Sequence, residues 1–269
     1  MRPPTMPADG NMSLADHLRE LRYRVVVALI AVTVMTIVAA FFYQDLLSLL
    51  MLPWHQAQEA LLAERPGQEL QVANIGVTAP LTLAIKICAV AGVVVSSPLW
   101  IYQLWAFIAP GLLAKEKKWA LAFVGSATPL FLAGVAAGYF VLPKGIQVML
   151  GFTPESQQIT NLLDLSTFLN FMLRLMLVFG IGFLLPVAVV ALNLMGVVTW
   201  EQLAKARVYV VFGTFVFGAV ATPSTDPFSM LVLAIPMAVL YLIAEFLCWI
   251  NDRRKRKRGA QTSDLEVTT

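Results

Sequence analysis

Tyr23–Tyr43 reads YRVVVALIAVTVMTIVAAFFY, and after Arg24 it carries no charge for nineteen residues. An α-helix rises about 1.5 Å per residue, so roughly 20 apolar residues cross a hydrocarbon layer about 30 Å thick. The run is too long for the apolar region of a secretory signal, and residues 1–22 ahead of it are polar and hold three prolines. The N-terminal segment is therefore expected to be retained, and the run to be a membrane span.

The composition extends that reading to the whole chain. Of 269 residues, 59% are hydrophobic and only 13% charged, with a mean hydropathy of +0.76. Soluble domains average about 25% charged residues. Scanning for runs of similar length gives six spans, near 23–43, 78–105, 120–142, 166–195, 207–222 and 227–250. The fifth is the shortest and is separated from the sixth only by Thr222–Pro227 (TPSTDP), which predicts a tight helical hairpin. The expected fold is an all-α integral membrane protein with six transmembrane helices in a kinked bundle. Residues 1–22 form its N-terminal segment, and residues 251–269 read as a basic, disordered tail.

Lys and Arg accumulate in the cytoplasmic connections of membrane proteins. Arg2, Arg19, Arg22 and Arg24, then Lys115, Lys117 and Lys118, then Lys205 and Arg207, then the run Arg253–Arg258 put fifteen cations on one side. Only Arg65 and Lys144 lie in the connections on the other. Both termini are thus expected in the cytoplasm. The run RRKRKR reads as a membrane anchor and not as a nucleic-acid site. On the outer side, Gln44–Glu64 has apolar residues at helical spacing and reads as an interfacial helix broken at Pro53. Thr153–Ser166 carries a helix-start signal and enters the fourth span through Asp164 and Ser166.

Catalytic and metal motifs are absent, and no cofactor or metal is expected. His17 and His55 are the two histidines, too few for a histidine-based metal site. Cys88 and Cys248 stand far apart within apolar sequence and read as small core residues. Gly134 and Gly138 form a small-xxx-small pair for close helix approach, and Gly180 and Gly182 read as packing positions. Pro80, Pro98, Pro110, Pro129, Pro186 and Pro236 remove backbone hydrogen bonds and should kink or end their helices.

Ionisable residues at membrane depth carry the functional interest, because an unpaired charge there is costly. Lys86 and Arg174 each stand about eight residues in from the outer end of their spans, where their stems could reach outward. Glu245 reads either as an interface residue or as a buried polar site. Two cytoplasmic acids, Glu20 and Glu116, sit among basic residues. Each alone reads as a solvated charge balancer; together they offer two carboxylates at the membrane edge, suited to a pair of arginines on a partner.

Met12–Arg24 (MSLADHLRELRYR) resembles the N-terminal signature of the TatC family, the large core subunit of twin-arginine protein translocases. Ser96–Lys118 (SSPLWIYQLWAFIAPGLLAKEKK), Phe179–Thr199 (FGIGFLLPVAVVALNLMGVVT) and Ala221–Met237 (ATPSTDPFSMLVLAIPM) continue the resemblance in the family's order. It covers roughly residues 12–250. The resemblance implies that the bundle is cupped and that the chain is a receptor in the bacterial cytoplasmic membrane, not an enzyme, that binds twin-arginine signal peptides of folded cargo at Glu20 and Glu116. Leu18, Arg22, Phe107 and Pro110 would support that site, and Pro53 and Asp226 would be structural or assembly positions. The implied partners are single-span TatA-type subunits and TatB, in a homo- or hetero-oligomer driven by the proton-motive force. One departure stands out: many members carry a glutamate before the fourth-span proline, where this chain has Leu184. Glu245 is the candidate replacement for that polar group.

Two other classes compete. An ion-coupled secondary transporter would show an internal repeat and midplane charges on paired broken helices, and no repeat is found. An intramembrane enzyme would need a nucleophile or metal motif, and none is present.

Overall fold

A computed structural model describes residues 14–64, 70–108, 117–151, 161–221 and 227–267. In chain order these form α1 (Leu14–Phe41), α2 (Tyr43–Glu64), β1 (Leu70–Ala73), α3 (Ala79–Val95), α4 (Ser97–Ile108) and α5 (Lys117–Gly151). Then follow β2 (Asn161–Asp164), α6 (Leu165–Leu194), α7 (Trp200–Ala221) and α8 (Pro227–Val267). Helices α1, α5, α6, α7 and α8 are long and apolar enough to cross a membrane, and the α3–α4 pair, bent by 61°, makes a sixth. The all-α membrane architecture read from the sequence is thus the one observed. The chain divides into two compact units at Gly180/Ile181, within α6.

In the first unit, α1 packs along α3 and α4. Contact with α3 is close because Gly92 has no side chain: a Cβ there would lie 2.7 Å from the backbone nitrogen of Thr36. The bend between α3 and α4 falls at Ser96, just ahead of Pro98. Pro98 is the second residue of α4, where a missing N–H costs nothing. The Ser96 carbonyl accepts from the amides of Leu99 and Trp100, and the Trp100 indole N–H donates to Val93 at 2.9 Å across the break. The sequence expectation of a kink is met here. At Pro129, Pro186 and Pro236 the helices run on uninterrupted, and Pro80 sits harmlessly in the first turn of α3. Pro110 lies outside the described residues.

Helix α2 departs from the expected break at Pro53, for it is continuous from Tyr43 to Glu64. Proline lacks the N–H that would bond the carbonyl four residues back, which here belongs to Leu49. The hydroxyl of Tyr139, on α5, donates to that carbonyl at 2.7 Å. The orphaned acceptor is satisfied from another helix, so the turn can persist. Leu50, Pro53, Trp54, Ala57 and Leu61 are buried, at the spacing of one helical face, against α5.

The small-xxx-small pair performs as read. A Cβ on Gly134 would lie 2.6 Å from the Phe179 carbonyl oxygen, and one on Gly138 would lie 3.0 Å from the Met176 Cα. The connections near 44–77 and 143–165, read from the sequence as helical, also contribute a short parallel sheet, pairing Leu70 with Asn161 through Ala73 with Asp164. The helix-start signal at residues 153–155 lies outside the described residues. Helix α6 begins directly after β2 and α3 five residues after β1, and the Ser166 hydroxyl donates to Asn74 Oδ1 at 3.2 Å, so both helices start at the sheet. Asp164 starts α6: one carboxylate oxygen accepts from the amides of Ile75 and Ser166, the other from the amide and hydroxyl of Thr167. The Thr167 hydroxyl bond leads the effects that hold its pKa below the ordinary aspartate value.

The second unit is a helical hairpin, α7 against α8, joined to the end of α6. Gly196, at φ 77°, closes α6 with the left-handed turn that glycine adopts without strain. Asn193 is buried at that corner. Its amide group donates to the Val198 carbonyl at 2.9 Å and to the Asp252 carboxylate at 3.1 Å, and its oxygen accepts from Asn251 at 2.9 Å. Asp252 also caps α7 by accepting from the Trp200 amide at 2.9 Å. Lys255 donates to the last carbonyls of α6, and Arg256 pairs with Glu201. The segment from residue 251, expected as a disordered tail, is thus helical to Val267, and its first residues latch the α6–α7 corner. Composition misses this because every partner lies more than 50 residues away.

Two outcomes follow. Tyr139→Phe should destabilise the protein by about 1 kcal/mol, and far less in a Pro53→Ala background, where a backbone N–H can serve the Leu49 carbonyl; thermal unfolding of the four proteins of that cycle measures the coupling. The Asp164 carboxylate stabilises the fold above the unfolded-state value, about 3.9, and that contribution is lost as pH falls through the lower folded value. Asp164→Ala should therefore flatten the acid limb of the stability–pH profile below about pH 4.

Candidate functional site

Among the described residues two acids are buried, Glu20 and Glu245. Both meet an arginine, by different geometries. Glu245, on α8, is approached from α7 by Arg207, whose Nε donates to one carboxylate oxygen at 2.9 Å and whose Nη2 donates to the other. Both oxygens are engaged, and the Tyr241 hydroxyl one turn away donates to the Leu203 carbonyl at 3.0 Å. Glu245, read from the sequence as an interface residue or a buried polar site and as the candidate replacement for the acid absent at Leu184, is buried and clasped to Arg207 of the neighbouring helix.

Glu20 is paired within its own helix. Arg24, four residues on, lies on the same face, and its Nε (2.8 Å) and Nη2 both donate to Oε1. A fork rising from the next turn of one helix reaches only the nearer oxygen. Oε2 is buried and has no hydrogen-bond partner among the described residues. Glu20 is 3% exposed, although none of the most apolar window of α1 is buried within the chain. A buried, unpaired acceptor costs roughly 1–3 kcal/mol, more when charged, and a donor brought by a ligand would recover it.

The ring of His17, three residues before Glu20, stacks on Phe107 with centroids 4.6 Å apart and planes at 18°. Trp105 stacks on Phe123 at 3.9 Å. The end of α4 is thereby gripped by α1 through Phe107 and by α5 through Trp105. The stack brings Phe107 to His17 in the first turn of α1, three residues before Glu20. Leu18 is 57% exposed and Arg22 is exposed as well, so this pair forms an open flank of α1. Arg19 faces outward with Asp16 at 3.5 Å. Glu116, Pro110 and Asp226 lie outside the described residues; Glu116 immediately precedes Lys117, the first residue of α5. Pro53 is buried in α2, remote in sequence from these acids.

Sequence reasoning passed over His17 and Arg24. The four-residue spacing of Glu20 and Arg24 was a legible signal for the pair, whereas the His17–Phe107 stack spans 90 positions and left none. Among the described residues no cluster of His, Cys, Asp and Glu could hold a metal ion, and Cys88 and Cys248 are free and buried.

The model of one protein family, described as Sec-independent protein translocase protein (TatC), matches residues 16–236. Among curated relatives, the TatC of Frankia casuarinae is 39% identical over 93% of this chain and 69% of its own length. That of Xylanimonas cellulosilytica is 38% identical over 94% and 91%, and that of Escherichia coli K12 is 35% identical over 94% of each. Among solved structures, the crystal structure of the twin-arginine translocase receptor TatC in DDM aligns with a TM-score of 0.73 at 34% identity. It covers 86% of this chain and 99% of that one.

The Glu245 clasp makes a direct prediction. Arg207→Leu leaves a buried carboxylate without a partner and should cost about 2 kcal/mol, below the usual figure for a buried pair because Arg207 is half-exposed. Adding Glu245→Leu should restore most of the apparent unfolding temperature, since an apolar pair replaces an ionic one at little cost.

Proposed function

Because the chain belongs to the TatC family of Sec-independent protein translocase proteins, multi-span components of the Tat system, we propose that it receives twin-arginine signal peptides at Glu20 and Glu116. The observation that carries this reading is the Oε2 of Glu20, buried in the second turn of α1 and without a hydrogen-bond partner among the described residues, while Arg24 engages Oε1. A guanidinium is planar, keeps its charge and presents several donors in a fork. Delivered to Oε2, it would complete the coordination that Arg24 begins at Oε1. Low local water makes that charge-assisted bond stronger than the same contact on a solvated surface.

Glu116 would take the second arginine. Phe107, fixed by His17, would form a wall of the site, and Leu18 and Arg22 would meet the flanks of the signal on the exposed side of α1. Pro110 belongs to the same loop as Glu116. In this reading the site faces the cytoplasm, both termini lie on that side of the bacterial cytoplasmic membrane, and the bias of basic residues supports it. The apolar stretch of the signal would lie along the bundle. TatA-type and TatB-type subunits would then assemble with the occupied receptor, with Pro53 and Asp226 holding outer structure for that assembly, and the proton-motive force would drive transport.

Glu20→Gln should weaken binding of a twin-arginine peptide roughly ten- to hundredfold, the worth of a hydrogen bond to a charged group, while Glu245→Gln leaves it unchanged. Glu20→Lys and Glu116→Lys should each abolish export of a twin-arginine reporter. Normal export by both reversal variants would refute the receptor reading.

A further inference from the structure

The Lys86 ammonium, within the bent α3–α4 span, donates to Oδ1 of Asn170 on α6 at 2.9 Å. The starts of α3 and α6 are joined by the β1–β2 pairing and the Ser166–Asn74 bond, and Lys86 meets Asn170 further along both helices, so depth can be counted from their first residues. Lys86 stands seven positions beyond Ala79 and Arg174 nine beyond Leu165, about 10 and 14 Å along their helices. Both side chains are exposed. Asn170 and Arg174 are four residues apart and therefore neighbours on one face of α6. Long helical side chains lean toward the N-terminus, which directs Arg174 back over the turn that holds Asn170 and toward Lys86.

Lys86, bonded to Asn170, and Arg174, one turn beyond Asn170, thus bring two exposed cations to neighbouring positions, with one neutral acceptor engaged by the first. Arg174 makes no hydrogen bond or ion pair among the described residues. Asp164, the acid at the head of α6, has both oxygens occupied by Ile75, Ser166 and Thr167. The first N–H groups of α3 add partial positive charge at the same end, where Thr78 provides no side-chain cap. Unpaired cations in hydrocarbon are heavily penalised, and mutual repulsion grows as the dielectric falls. One anion between them removes both penalties.

We propose that Lys86 and Arg174 form a binding site for the phosphate of a phospholipid in the leaflet at the sheet end of the first unit. Both stems lead from membrane depth toward the headgroup level. A phosphodiester there offers acceptor oxygens to the ammonium and to the guanidinium fork together, and its acyl chains continue along the apolar faces of α3 and α6. The site is separate from Glu20 and does not depend on signal recognition.

The full-length protein, purified and stripped of lipid, is titrated with phosphatidylglycerol and, separately, with a glucosyl diacylglycerol that lacks phosphate, and bound lipid is counted by native mass spectrometry. The wild type should hold one phosphatidylglycerol about tenfold more tightly than the Lys86→Gln/Arg174→Gln double variant, with no such difference for the phosphate-free lipid. Arg174→Gln alone should give intermediate retention at an unchanged unfolding temperature, which separates lipid binding from loss of the Lys86–Asn170 bond. Equal phosphatidylglycerol retention by all three proteins, or equal discrimination with the phosphate-free lipid, would overturn the site in favour of cations that merely reach water. Unchanged lipid retention together with loss of a co-purifying membrane subunit from the double variant would overturn it in favour of an acidic partner helix.

Discussion

Hydrocarbon offers no hydrogen bonds, so a polar atom within a membrane-spanning fold must find its partner in the protein or in whatever binds to it. That constraint orders most of the contacts in this chain. The Tyr139 hydroxyl serves the carbonyl that Pro53 orphans. Asp252 serves Asn193 and the first amide of α7, and Arg207 takes both oxygens of Glu245. Against this background the unpaired Oε2 of Glu20 is an exception. Ser97 Oγ and Thr128 Oγ1 are likewise buried without a partner among the described residues, and Arg174, which makes no hydrogen bond or ion pair among them either, is exposed.

The charged exceptions, Glu20 and Arg174, invite ligands of opposite sign. At Glu20 the fold supplies a dehydrated anion already half-coordinated by Arg24, with the His17–Phe107 stack holding α1 and α4 together beside it. A cationic, planar, multidentate group suits that geometry better than a point charge does. Membership of a translocase family then gives the cation an identity that the geometry alone leaves general.

The membrane architecture was legible because apolar run length is a strong local signal, and so was the kink beside Pro98. Several features were not, each for a physical reason. Proline at position 53 reads as a helix break until a hydroxyl 86 residues away is known to replace the missing bond. Asn251, Asp252 and Lys255 look like the start of a polar tail, since their partners lie at the end of α6. The β1–β2 pairing joins segments about 90 residues apart, and four-residue strands carry little pattern of their own. At the site, the sequence singled out Glu20 and Phe107, yet grouped Arg24 with the membrane anchors even though its spacing from Glu20 permits a pair. Glu245 was legible as a special acid, but its engagement by Arg207 depends on how α7 and α8 face each other.

The central claim is that Oε2 of Glu20 receives an arginine of the cargo signal. Dipolar-recoupling NMR tests it directly, using a receptor labelled with ¹³C at the Glu20 carboxyl and a bound twin-arginine peptide labelled with ¹⁵N in its guanidinium groups. The account predicts a carbon–nitrogen contact of about 4 Å, the separation of a charge-assisted carboxylate–guanidinium pair. A peptide shown to be bound, with no dipolar contact to that carbon, would contradict it.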